Sequence, residues 1–230
     1  MKLNPEQIDR LYEFTRQHYV EYYDLQTELV DHLANSIEEQ WQQNPKLSFE
    51  DALKIEFKKF GVFGFSDVVE KRQVALNKKY NKLVWKHFKA FFTLPKIIGT
   101  IGAIGLINLL LSKLFFKSDI VLILFGLIVI SFCFSIVYFS RKNKKDYNLS
   151  GKKWLFKEII LGRSSLVGMV NLPIQIIIHS EKVLDTSFGV LAISFLLVSM
   201  TLIEYVVLIE IPRRAEEYLK ETYPEYNFVA

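Results

Sequence analysis

Asp24, Glu28, Asp31 and His32 fall within about two turns of one segment, and Glu28 and His32 stand four residues apart. At that spacing two helix side chains can reach one metal ion. Zinc needs further ligands, and none is offered at suitable spacing. Cys133 is the single cysteine, and His18, His87 and His179 are isolated from one another. The four residues instead suit a hydrogen-bonded helix surface or a contact to a neighbouring helix or a partner protein. A second centre of interest is Glu204, an acid inside an apolar stretch that ends near Ile211. A carboxylate at membrane depth needs a partner or a proton, and Arg163 is the expected partner. Asn108, Asn171 and Gln175 lie in similar stretches, and their cost against lipid predicts that they face the interior of a bundle. No nucleophile–base pair, phosphate loop or metal cluster emerges, so the expectation is a non-enzymatic protein without a cofactor.

The elements that would position these residues follow from charge and hydropathy. In residues 1–70 there are 14 acids against 7 Lys or Arg, whereas residues 71–92 hold 7 Lys or Arg and no acid. Four apolar stretches follow: 94–116, 120–140, 164–180 and 187–211. The second is uncharged throughout, and at about 1.5 Å per residue it crosses a hydrocarbon layer of roughly 30 Å. The third is short and contains Pro173, so it either crosses with help from a snorkelling Arg163 or is re-entrant. Lys78, Lys79, Lys82, Lys86 and Lys89, interleaved with aromatic residues beside the first stretch, are expected to contact anionic lipid headgroups rather than nucleic acid. Gly99, Gly102, Ala103 and Gly105 give the first stretch a small-residue face suited to close helix packing, within the chain or in a homo-oligomer.

Orientation follows from the basic residues. Arg141, Lys142, Lys144, Lys145, Lys152, Lys153 and Lys157 crowd the connection between the second and third stretches. The outer hairpins carry few cations, so both termini and the middle connection are expected on the cytoplasmic side of the inner (plasma) membrane.

The polar N-terminal part reads as helices throughout. Asn4-Pro5 starts one. Leu25, Leu29, Leu33, Ile37 and Trp41 recur every fourth residue in the next, which Pro45 closes. Ser48-Phe49-Glu50-Asp51 opens a third, with Asp where a capping box usually has Glu or Gln, and Gly61 stops it. The run Asp24-Leu25-Gln26-Thr27-Glu28-Leu29-Val30-Asp31-His32-Leu33, then Ile37-Glu38-Glu39, Ser48-Phe49-Glu50-Asp51-Ala52-Leu53 and Phe60-Gly61, resembles the helical HAAS-type signalling domain. The stretch Phe63 to Phe65 departs from the family's usual ending. The resemblance covers about residues 8–75 and implies a regulatory role, since such domains often head membrane proteins encoded beside PadR-like transcription regulators.

The expected architecture is all-α: a HAAS-like domain over 1–75, a basic amphipathic helix over 76–93, a four-helix transmembrane bundle over 94–211 and a cytoplasmic tail over 212–230. The expected function is that of a membrane regulatory protein whose helical domain binds a partner, a PadR-like regulator by resemblance. The alternative is a small transporter or transporter accessory working as an oligomer, suggested by Pro173, Asn171, Gln175 and Glu204.

Overall fold

A computed structural model describes residues 2–161, 183–223 and 226. Every regular element among them is helical. The chain divides into two compact units, residues 1–76 with 147–156, and residues 77–146 with 157–230.

In the first unit, α1 (Pro5–Gln17) begins with a reciprocal cap. The Gln7 N–H donates to Asn4 Oδ1 at 2.8 Å, and the Asn4 N–H donates to Gln7 Oε1 at 2.9 Å. These bonds satisfy two donors that the first turn would leave open. Helix α2 (Tyr23–Gln43) buries Leu25, Leu29, Leu33, Ile37 and Trp41 as one stripe, and Leu11 of α1 is equally buried. Each such side chain contributes about 1.5–3 kcal/mol by leaving water. At α3 (Phe49–Lys58) the Ser48 Oγ accepts the Asp51 N–H. The Ser48 hydroxyl in turn donates to the Asp51 carboxylate at 2.6 Å, so the shorter acid closes on the capping side chain itself. Gly61 and Gly64 both have positive φ in the turn to α4 (Ser66–Lys89), and they fold Phe65 back against Phe14, Phe57 and Phe60.

The second unit is built on three helices long and apolar enough to cross a membrane: Lys96–Lys113, Lys117–Ser150 and Ser187–Arg213. The first is α5 and the second α6. Helix α7 (Leu155–Ile160) follows the middle connection. Helix α8 (Ser187–Tyr205) forms most of the third apolar helix, and its cap is Thr186, whose Oγ1 accepts the Gly189 N–H at 3.0 Å. Ile101, Ile130, Phe134 and Phe188 are exposed by 61%, 64%, 73% and 80%, which is the pattern of side chains meant for lipid rather than for a protein core.

Three details differ from the sequence expectation. The basic connection after the second stretch is not a loop from residue 141 onward, because α6 continues unbroken to Ser150. Its 34 residues measure about 51 Å, well beyond the hydrocarbon thickness. Charges end a membrane span; they do not end a helix. The last apolar helix does not stop with the apolar stretch at Ile211 either, but runs on to Arg213. It widens into a π-helical turn over Val206–Glu210, and the Ile211 N–H reaches back to the Val206 carbonyl. Proline offers no N–H and crowds the carbonyl four residues back, and the wider turn accommodates both defects. The tail is ordered through α9 (Ala215–Thr222), which buries Ala215, Tyr218 and Leu219. The third apolar stretch of the sequence, and with it the fourth helix of the expected bundle, lies outside the described residues.

Candidate functional site

Within the second unit a cleft of about 440 Å³ lies between α5 and the last apolar helix. Helix positions set its two ends. Lys96 at the start of α5, His87 near the end of α4 and Glu210 in the π turn supply polar groups. Ala103, Val198 and Leu202 line the apolar part. The floor is glycine: among the described residues, a side chain begun at Gly99 would meet nothing within 4 Å. The sequence points to close packing of that small-residue face, within the chain or in a homo-oligomer; among the described residues Gly99 borders open space.

The polar end is organised by a chain of contacts. Arg214 Nη2 lies 3.1 Å from Glu210 Oε1, and the same oxygen is 3.7 Å from His87 Nδ1. The other ring nitrogen, His87 Nε2, is 2.7 Å from the Tyr218 hydroxyl. A neutral imidazole with its proton on Nδ1 suits both neighbours, accepting from Tyr218 and pointing N–H toward Glu210. Burial pulls the His87 imidazole below its ordinary range; Glu210 opposes the shift, and Arg214, Lys86 and Lys96 add to it. Burial also raises the Tyr218 phenol, which keeps its proton for the hydrogen bond. The Lys96 ammonium sits 4.9 Å from the centre of the Phe91 ring. The Thr100 hydroxyl donates to the Phe91 carbonyl at 2.9 Å, tying the 3₁₀ turn Ala90–Phe92 to α5.

In the sequence His87 stands isolated from the other histidines, and Glu210 and Tyr218 carry no motif. The available signals were Pro212 two residues after an acid, and Ala215, Tyr218 and Leu219 at helical spacing in the tail.

The residues singled out from sequence are dispersed. Glu204 accepts a hydrogen bond from the Ser131 hydroxyl, so an α6 side chain serves it. Arg163, Asn171 and Gln175 lie outside the described residues. Asn108 is half-buried on α5, and its backbone carbonyl accepts from the Ser112 hydroxyl at 2.7 Å.

Asp24 is not on the surface where a partner contact would place it. It is 2% exposed, and its Oδ1 accepts the Leu155 N–H at 3.2 Å. Next to it the Tyr23 N–H donates to the Lys153 carbonyl at 2.7 Å, and the Trp154 ring meets Tyr23 edge-on at 5.4 Å. The start of α2 thus holds the connection that follows α6. Glu28 faces Arg72 at 3.5 Å, Asp31 is exposed, and His32 lies 3.9 Å from the buried Glu56 carboxylate. Among the described residues no group of three or more His, Cys, Asp or Glu converges as for a metal.

Of the five lysines expected at headgroups, Lys78, Lys82, Lys86 and Lys89 are exposed. Lys79 turns instead to the Thr222 hydroxyl, 2.7 Å away, because α9 occupies that side of α4. Compared with known proteins, the chain matches no family model, no curated protein and no solved structure.

Proposed function

We propose that this chain is a non-enzymatic regulatory protein of the inner (plasma) membrane, with both termini and the 141–157 connection in the cytoplasm and a helical N-terminal unit that binds a cytoplasmic partner. The observation that carries the reading is the hold of α2 on residues 153–155, through the Tyr23 N–H and the Asp24 carboxylate. This contact folds the segment directly after an apolar helix into the N-terminal unit, so a partner bound there acts on a segment continuous with the membrane part. The resemblance to HAAS-type domains supports a partner such as a PadR-like regulator, and the exposed side chains of Asp31 and His32 remain open to it. The exposed stripe of Lys78, Lys82, Trp85 and Lys89 on α4 suits anionic headgroups, with an aromatic residue at interfacial depth.

Photo-crosslinking in native membranes tests this. A benzophenone side chain at Asp31 should capture a cytoplasmic protein, and one at Phe134 should capture lipid only. In a Cys133→Ser background, an impermeant thiol reagent added from outside should spare a cysteine at Asn143 and label one at Ser118. External labelling of Asn143 overturns the orientation. Substrate flux in vesicles of the purified chain, with no protein captured at Asp31, overturns the regulatory reading in favour of transport.

A further inference from the structure

The geometry points to the cleft between α5 and the last apolar helix as a binding site for an anionic amphiphile, its phosphate or carboxylate head at Lys96 and its chain along Gly99, Ala103, Val198 and Leu202. This goes beyond the regulatory reading and does not depend on it. Four observations meet here.

At about 440 Å³ the cleft falls within the usual range of sites for small molecules, roughly 300–1,000 Å³. Its polarity is graded. Lys96 opens α5 and Ala103 lies two turns further along, while on the facing helix Glu210 gives way to Leu202 and Val198. A ligand that fills it must itself be polar at one end and apolar at the other.

The charge balance then selects the sign of the head. Glu210 is matched by Arg214, and burial lowers the His87 imidazole, which favours its neutral form. Among the described residues no carboxylate pairs with Lys96, whose ammonium rests against the Phe91 ring. One positive charge is left over at the polar end, and it calls for an anion. Lastly, the floor is open, since among the described residues nothing stands within 4 Å of a side chain begun at Gly99. In an apolar helix an uncovered glycine face is taken by another helix or by a chain of methylenes. The lysine beside it favours the second occupant, because the head of an anionic amphiphile would meet the Lys96 ammonium while its chain follows the glycine face.

The test uses the full-length protein in phosphatidylcholine vesicles containing a trace of diazirine-bearing phosphatidic acid, with adducts mapped by mass spectrometry. Adducts should concentrate on residues 96–103 and 198–205 and exceed those from a matching diazirine phosphatidylcholine. Lys96→Gln should lower labelling about fivefold, the effect of one lost lysine–headgroup attraction of about 1 kcal/mol. Gly99→Leu should lower it by filling the floor. Gly105→Leu and Lys113→Gln, at positions outside the cleft lining, should leave labelling unchanged. Circular dichroism separates a misfolded Gly99→Leu from a filled cleft, and Lys96→Gln decides if the former occurs. Equal labelling by the two lipids, or labelling that persists in a folded Lys96→Gln, overturns the proposal. Competition by excess inorganic phosphate also overturns it, because the site would then read a free phosphate rather than an amphiphile.

Discussion

Leu33 of α2 and Ile101 of α5 are both branched aliphatic residues on long helices, yet the first is fully buried and the second 61% exposed. The contrast extends to their units. The N-terminal unit places most of its large aliphatic residues on inward stripes and its acids, Asp24 and Glu56 apart, toward the surface, as a chain folded against water does. The apolar helices of the second unit keep their outward side chains aliphatic and aromatic. Their inward positions hold Thr100, Ser194 and Ser199, all under 9% exposed. Where lipid is the solvent, small polar residues serve between helices and hydrophobicity no longer separates inside from outside. Burial therefore has a different energetic meaning in the two units.

The largest test of this contrast is substitution in the two apolar populations. Leu33→Ala should destabilise the N-terminal unit by about 2–5 kcal/mol, because it opens a cavity in a water-excluding core. Ile101→Ala in a bilayer should stay within about 0.5 kcal/mol. Denaturant or thermal unfolding of the full chain in lipid nanodiscs measures both, and equal losses would break the comparison.

Next in size is the contact that assigns residues 147–156 to the N-terminal unit. Asp24→Ala leaves the Leu155 N–H without its acceptor and should cost about 1–3 kcal/mol. Faster hydrogen exchange at Leu155 and earlier proteolysis around Lys152 are the expected signs. Unchanged exchange would mean that the segment is held without the Asp24 carboxylate, the Tyr23–Lys153 hydrogen bond and the packing of Trp154 and Phe156 sufficing.

The second unit has its own polar test at His87. Its folded value lies below the ordinary 6.5, so the unfolded chain binds more protons, and stability must fall as pH drops below about 6.5. His87→Gln should flatten that dependence and leave stability at pH 8 within about 1 kcal/mol, since an amide can still meet Tyr218. A pH profile identical to that of the unsubstituted protein would remove His87 from the account.

The smallest effect is expected for Glu28→Gln. Its 3.5 Å contact with Arg72 is half-exposed, and such surface pairs contribute about 0–1 kcal/mol. A larger loss would show that α2 and α4 depend on charge rather than on apolar contact.

The contrast also explains what could be read in advance. The spacing of Leu25, Leu29, Leu33, Ile37 and Trp41 specifies one helix face, and all five are buried. The membrane-compatible stretches are equally legible from composition. Residues whose roles depend on distant chain were not. Asp24 reads as a surface acid because its partner, the Leu155 N–H, is 131 residues away. His87 reads as isolated because Tyr218 is also 131 residues away. The π turn leaves no periodic trace, and Glu210 beside Pro212 looks like an ordinary helix end.

The unbroken length of α6 has a mechanical consequence. Ser131, which holds Glu204, and Lys145, within the basic extension, lie on the same helix about four turns apart. No proline or glycine interrupts the interval to absorb a twist. The azimuth of Lys145 is therefore locked to that of Ser131, and a rotation of the helix deep in its apolar part appears undiminished among the charges beyond it. One inserted residue between them would turn the whole basic extension by about 100°. The helix acts as a driveshaft, and its output is the compass direction of its lysines.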